Sequence, residues 1–163
     1  MIPSPTDNAK NDYAQYLSKG MEILHSRETR GAIISLLSGN KTPVQRVANA
    51  AVVVLQKVDG AARSKGLEIQ DATKLFAAYE IVKQICEIAD AARLFTLDDQ
   101  HQNLALSVAV QDYVRAEIAA GRIDPARLNA QITQGMRKLT PEQRSEVDSS
   151  IKTIQQTGAK YRG

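Results

Sequence analysis

The chain of 163 residues has no tryptophan, only two phenylalanines and a single cysteine, Cys86. One thiol cannot close an internal disulfide, and it cannot supply a thiolate metal cluster. Strands draw on aromatic and β-branched residues, whereas alanine, the best helix former, is abundant here. The shortage of aromatic residues therefore favours helices over a sheet.

Long apolar runs are also missing. The most apolar stretch covers only residues 50–55, and a transmembrane helix needs roughly 20 apolar residues. We therefore expect a buried core segment at this place and no membrane span. The first residues lack the basic start and the apolar run of a signal peptide. We expect a protein that is not secreted by a signal peptide and whose single thiol suits the reducing cytoplasm in which it is made.

Groupings typical of catalysis are not found in the sequence. His25 and His101 are the only imidazoles, and a metal site needs three or four converging ligands. The glycines never cluster into a phosphate-binding loop, and Cys86 falls on an apolar helical stripe, where a thiol is a small hydrophobe. We predict no metal, no cofactor, no small-molecule substrate and no catalytic residue, and therefore a protein that is not an enzyme.

Four helix starts can be recognised, because a side chain that can accept from first-turn amides precedes proline or acidic residues. They lie at Thr42-Pro43, Thr96 to Asp99, Asp124-Pro125 and Thr140-Pro141. Glycine adopts the left-handed conformation that ends many helices. The predicted stops share this residue type and follow periodic segments, at Gly39, Gly66 and Gly121.

Between these marks the apolar residues recur at three- and four-residue steps, which is the helical period. Leu75, Tyr79 and Val82 begin the clearest stripe, which Phe76 widens. No segment alternates with period two, so an all-α fold is predicted. The expected helices cover residues 7–24, 27–38, 43–64, 71–94, 97–120, 125–138 and 141–156.

Long helices joined by short connections predict antiparallel neighbours. We expect an antiparallel helical bundle of about six to seven helices, with its core between residues 43–64, 71–94 and 97–120. Residues 1–121 are assigned to this bundle. Residues 122–163 are expected to form a C-terminal helical hairpin with a basic tail, docked on the same domain. Gly20 and Gly31 predict breaks in the first two helices.

Charge is distributed in blocks. Residues 41–66 carry five Lys or Arg against one acidic residue, residues 67–100 carry three against seven, and residues 122–163 carry eight against four. Basic and acidic blocks of neighbouring copies can meet in an assembly, or the last block can bind nucleic acid phosphates. The candidate contact residues share a positive charge in that block: Arg122, Arg127, Arg137, Lys138, Arg144, Lys152, Lys160 and Arg162.

Several Ala- and Gln-rich segments carry a resemblance to a known group of proteins. Residues 42–49, 106–114, 119–125 and 135–144 resemble the small helical virion-associated proteins encoded among the structural genes of tailed bacteriophages. The resemblance implies a subunit of the portal, neck or tail, or an internal protein ejected with the genome. It implies location in the virion, and it brings no active-site residue with it.

The leading hypothesis is therefore a structural or assembly protein that acts through helix-mediated protein–protein contacts. Its expected partners are other virion or assembly proteins and copies of itself. The alternative is a nucleic-acid-binding or regulatory module that uses the basic C-terminal hairpin, which predicts salt-dependent binding to DNA. A third hypothesis is a chaperone-like adaptor for a larger virion protein, with residues 125–156 as its recognition element.

Overall fold

The computed structural model describes residues 5–137 and Pro141. Within them the chain forms helices and no strand, so the predicted all-α fold is confirmed. No helix in this part of the chain is both long enough and apolar enough to cross a membrane. The helices are α1 (Pro5–His25), α2 (Arg27–Leu37), α3 (Pro43–Ser64), α4 (Asp71–Ala91), α5 (Asp99–Ala119) and α6 (Pro125–Arg137).

Three of the four predicted helix starts are confirmed by their capping contacts. The Thr42 hydroxyl accepts a hydrogen bond from the backbone amide of Gln45 at 3.3 Å, at the start of α3. Asp98 accepts from the amide of His101 at 2.8 Å, and Asp124 accepts from the amide of Ala126 at 3.0 Å. These side chains satisfy first-turn donors that have no partner inside the helix. The start predicted at Thr140-Pro141 lies outside the described residues apart from Pro141.

Three helices end in the same way: a left-handed residue is followed by an amide that bonds to the carbonyl oxygen five positions back. Gly66 (φ 70°) and Gly121 (φ 73°) end α3 and α5 as predicted. Two other expectations were wrong. Arg93 (φ 57°) ends α4 at Ala91, three residues earlier than predicted, and Gly39 is not left-handed. After α2, Arg46 instead donates to the Leu37 carbonyl oxygen at 2.9 Å.

Helix α3 lies at the centre and packs against α1, α2, α4 and α5. Asp59 near its end contacts Lys74 near the start of α4, whereas Arg46 near its start lies over the ring of Phe95 beyond the end of α4. These two contacts show that α3 and α4 run antiparallel. The buried core comes mainly from α3, α4 and α5, as predicted, and α1 and α2 add Tyr16, Leu24, Ile33 and Leu37.

The predicted breaks at Gly20 and Gly31 are wrong, because both glycines lie inside continuous helices. At Gly20 the missing side chain lets α1 approach α4. A Cβ at this position would lie 3.2 Å from Ile81 Cδ1, which is tighter than ordinary contact. Gly20 therefore marks a close helix–helix contact, and the chain turns instead at Ser26, between α1 and α2.

The C-terminal region is described as far as α6. Ile123 and Leu128 are buried, and the Gln131 side-chain oxygen accepts a hydrogen bond from the Ala72 amide at 3.3 Å. Helix α6 therefore packs on the first turn of α4. The second helix of the predicted hairpin, over residues 141–156, lies outside the described residues apart from its first position.

Candidate functional site

Asp59 forms the centre of a buried polar cluster that joins four helices. Its side chain is 1% exposed and lies on the apolar side of α3. The Tyr16 hydroxyl of α1 donates to Asp59 Oδ1 at 2.9 Å, and the Tyr113 hydroxyl of α5 donates to Oδ2. Lys74 Nζ of α4 lies 3.4 Å from Oδ1. We call these residues (Tyr16, Asp59, Lys74 and Tyr113) the Asp59 cluster.

The two tyrosines of the cluster are held in their protonated form. Burial raises the pKa of Tyr16 and of Tyr113 far above the ordinary value of 10.0, and the negative charge of Asp59 raises both further. A phenol that keeps its proton is a hydrogen-bond donor to a carboxylate. Lys74 adds a positive charge and is shared with Asp71 at 3.5 Å. The cluster is therefore a carboxylate surrounded by donors from three other helices.

A second buried carboxylate, Glu117, lies one turn beyond Tyr113 on α5. Its side chain is 4% exposed, and Arg122 reaches it with two hydrogen bonds, from Nε at 2.5 Å and Nη2 at 3.1 Å. The end of α5 creates this pair. Gly121 turns the chain back, the Arg122 amide bonds to the Glu117 carbonyl oxygen at 2.9 Å, and the guanidinium of Arg122 then lies beside the carboxylate.

The polar groups of this region stabilise the packing of the helices. Both Asp59 oxygens accept hydrogen bonds and Glu117 holds a guanidinium, and no buried side-chain nitrogen or oxygen in the described residues lacks a partner. Sequence reasoning missed the cluster. Its only signal is an acidic residue on an apolar stripe, four positions after Leu55. Buried polar networks of this kind fix how helices pair, because each alternative arrangement leaves a charge without its donors.

The raised pKa values give a prediction for alkaline solution. A group whose pKa is higher in the folded state stabilises the fold at pH values below its unfolded pKa, and the stabilisation is lost as the pH rises further. Tyr16 and Tyr113 are therefore expected to ionise only as the chain unfolds above pH 10. Ultraviolet absorbance of tyrosinate, recorded with circular dichroism, checks this. In the Tyr16→Phe/Tyr113→Phe variant, the rise in tyrosinate absorbance that coincides with unfolding should be absent. Ionisation of every tyrosine of the native chain before it unfolds would contradict the prediction.

A cleft of about 560 Å³ opens between α1 and the end of α3. Its walls are mainly small or apolar side chains, and Leu67 and Ile69 lie along it. Lys19 and Glu22, which also line the cleft, form an ion pair at 3.2 Å. Tyr16 lines it as well, but the hydroxyl of this tyrosine is bonded to Asp59. The cleft therefore presents a mainly apolar surface rather than a reactive group.

The outward side of α4 differs most from expectation. Phe76 and Tyr79 were predicted on the core stripe, but they are 55% and 49% exposed. The rest of the predicted stripe is largely confirmed, since Val82 and Cys86 are buried, and the buried side of α4 also includes Ala77 and Ile81. We call the exposed side of the helix, which carries Phe76, Tyr79, Glu80, Lys83 and Glu87, the α4 outer face.

A second, smaller cleft borders the α4 outer face. It has a volume of about 310 Å³ and lies between α4 and α5. Tyr79 and Lys83 form one wall, and Asp99, Gln102 and Leu106 lie on the other. The aromatic pair of α4 is thus continuous with a polar groove that carries charges of both signs. The arrangement is suited to contact with another protein surface.

The predicted basic contact residues are only partly described. Arg127 is exposed on α6, and Arg122 is exposed too, but the guanidinium of Arg122 is bound to Glu117. Arg137 is the last residue of α6. The others, Lys138, Arg144, Lys152, Lys160 and Arg162, lie outside the described residues. Of the eight predicted contact residues, the structure therefore describes the side chains of Arg122 and Arg127.

His101 and Cys86 have structural roles. Hydrogen bonds from the backbone and from the ring of His101 lower the pKa of Asp98, and this pair caps α5. Burial raises the pKa of the Cys86 thiol to about 11, which keeps it in the unreactive form. Among the described residues no group of three or more His, Cys, Asp or Glu side chains could hold a metal ion.

Comparison with known proteins adds no relative. No family model matches the chain, and no curated protein or solved structure is similar to it.

Proposed function

We propose that the chain is a non-enzymatic structural or assembly protein that acts through contacts between helix faces. The observation that carries this proposal is the exposure of Phe76 and Tyr79, one turn apart on the α4 outer face. Tyrosine and other large aromatic residues are enriched at protein interfaces and often supply most of the binding energy. Two adjacent exposed aromatic side chains form an apolar patch, which is typical of a surface that binds a partner.

The environment of the reactive groups supports the non-enzymatic part of the proposal. Asp59 is saturated with donors, Cys86 is a buried thiol of raised pKa, and His101 is paired with Asp98. A catalytic acid, base or nucleophile needs an open site beside the group. In the described residues Asp59 instead joins helices, Cys86 lies in the core, and the His101–Asp98 pair caps α5.

The partners we propose are copies of the chain and other assembly proteins. The Ala- and Gln-rich segments resemble those of tailed-phage virion components, which suggests the portal, neck or tail of the particle, or an ejected internal protein. In this proposal the chain is made in a bacterial cytoplasm and then enters the virion. The contacts are those of helix faces, and nucleic acid is at most a secondary partner.

Replacing both aromatic residues of the α4 outer face tests the proposal. The Phe76→Gln/Tyr79→Gln variant should lose self-association, because the exposed apolar anchors are removed while the core stripe of α4 is retained. Absolute mass by light scattering behind a sizing column measures this. The matched control is Leu94→Gln/Ile118→Gln, which alters two other exposed apolar residues (36% and 39% exposed) and should leave the mass unchanged. A native chain that is strictly monomeric, or equal losses in both variants, would contradict the proposal.

A further inference from the structure

The charges of the α4 outer face have no ionic partners in the described part of the chain. Glu80 is half-buried and Lys83 is exposed, and neither takes part in the ion pairs formed there. Opposite charges three residues apart on a helix can pair, but these two do not. Lys83 lies on the surface and Glu80 at its edge, both on the side of α4 that carries the aromatic pair.

We propose that the α4 outer face binds the same face of a second copy, with the two α4 helices antiparallel and a two-fold axis between Tyr79 and Lys83. In this arrangement Glu80 of each copy lies against Lys83 of the other. Because the axis relates the two copies, this Glu80–Lys83 contact occurs twice in the dimer. Phe76 and Tyr79 then pack on the stems of the charged side chains across the axis, with a lysine ammonium near an aromatic ring.

The order of residues along α4 favours a second copy over an unrelated partner. A two-fold interface must be complementary to itself, and a helix that carries Glu80 and Lys83 one turn apart has this property only when it runs antiparallel to its copy. A parallel pairing in register would set Glu80 against Glu80. Helix α6 covers Ala72 through Gln131, which closes the face at its N-terminal end. Within the described residues Phe76, Tyr79 and Lys83 stay exposed beyond this contact.

The core behind the face keeps it rigid. Lys74 points to the opposite side of α4 and holds this helix to Asp59 of α3, and Gly20 lets α1 pack closely on Ile81. A surface that is already ordered loses less conformational entropy on binding. The helix that carries the aromatic pair is therefore ordered before it binds, as a repeated contact between identical subunits requires.

Charge exchange in the full chain tests this pairing, which rests on the proposed function. We expect Glu80→Lys and Lys83→Glu each to weaken dimerisation about tenfold, because each variant faces like charges twice across the axis. The double variant Glu80→Lys/Lys83→Glu restores opposite charges and should recover the native dissociation constant to within about threefold. Sedimentation equilibrium measures these constants, and Glu68→Lys, an exposed position away from the face, is the matched control with no expected change.

The outcomes separate this inference from the proposed function. A native dimer that is weakened by both single changes and recovered by the double variant supports the antiparallel pair. If the dissociation constant is the same in all three variants as in the native chain, or if the double variant dimerises as weakly as the single ones, the pairing is overturned while the proposed function stands. A native chain that keeps its monomer mass of 17.8 kDa at every concentration contradicts both.

Discussion

Replacing Asp59 by alanine is expected to lower the free energy of unfolding by about 3–5 kcal/mol, the range for removing one partner of a buried charged pair. The substitution leaves the buried Tyr113 hydroxyl without its acceptor, and it leaves the Tyr16 hydroxyl only the longer contact with the Leu55 carbonyl oxygen at 3.4 Å. Lys74 keeps only Asp71. Because domains are stable by only about 5–15 kcal/mol in total, this change removes a large share of the stability.

Urea unfolding followed by circular dichroism measures the effect. Tyr16→Phe and Tyr113→Phe each remove one donor and leave Asp59 with the others, so each should cost less, about 1–3 kcal/mol. Glu87→Ala removes an exposed carboxylate of α4 and should change stability by no more than about 0.5 kcal/mol. An Asp59→Ala loss as small as that of Glu87→Ala would show that the Asp59 cluster does not hold the helices together.

Replacing Ile81 by alanine is expected to cost about 2–5 kcal/mol. Ile81 is fully buried and fills the space that Gly20 leaves between α1 and α4. A glycine and an alanine facing each other cannot fill this space, and a cavity costs the lost contacts as well as the lost hydrophobic transfer.

Two further substitutions calibrate this result in the same urea experiment. Ile81→Val keeps most of the volume and should cost about 0.5–1.5 kcal/mol. Ile118→Ala alters a residue that is 39% exposed and should cost about 1 kcal/mol or less. If Ile81→Ala costs no more than Ile118→Ala, α1 does not pack on α4 at Gly20.

The sequence predicted the helices well because their ends are local. Thr42 followed by Pro43 predicted the start of α3, and Gly66 predicted its end, since caps depend on residues within one turn. Gly121 ended α5 for the same reason. Arg93 escaped prediction because arginine, unlike glycine, rarely adopts the left-handed conformation. The Leu94 amide nevertheless bonds to the Ala89 carbonyl oxygen at 3.0 Å and ends the helix there.

The position of the α4 outer face could not be predicted. Helix α4 is apolar on most sides, so the period alone does not decide whether Phe76 and Tyr79 or Ala77 and Ile81 face the core. The choice depends on which neighbours surround the helix, and this is a tertiary property. The buried side combines small residues such as Ala77 and Ala78 with Ile81, and the small side chains allow close approach of neighbouring helices. The Asp59 cluster was missed for a related reason, since its donors come from helices distant in sequence.

The buried and exposed sides of α4 have different roles. Lys74 and Ile81 fix the helix to α3 and α1, while Phe76 and Tyr79 stand on the opposite side. Substitutions on the buried side should therefore change stability. Substitutions on the α4 outer face should change association and leave stability nearly unaltered.

The most direct test of the account is the absolute mass of the full chain in solution, by light scattering at low and high salt. The antiparallel pairing predicts twice the monomer mass of 17.8 kDa at low salt. It also predicts a weaker dimer at high salt, since salt screens the Glu80–Lys83 contacts but not the aromatic ones. A mass of 17.8 kDa at both salt concentrations, even at high protein concentration, would contradict the claim that the α4 outer face joins copies of this chain.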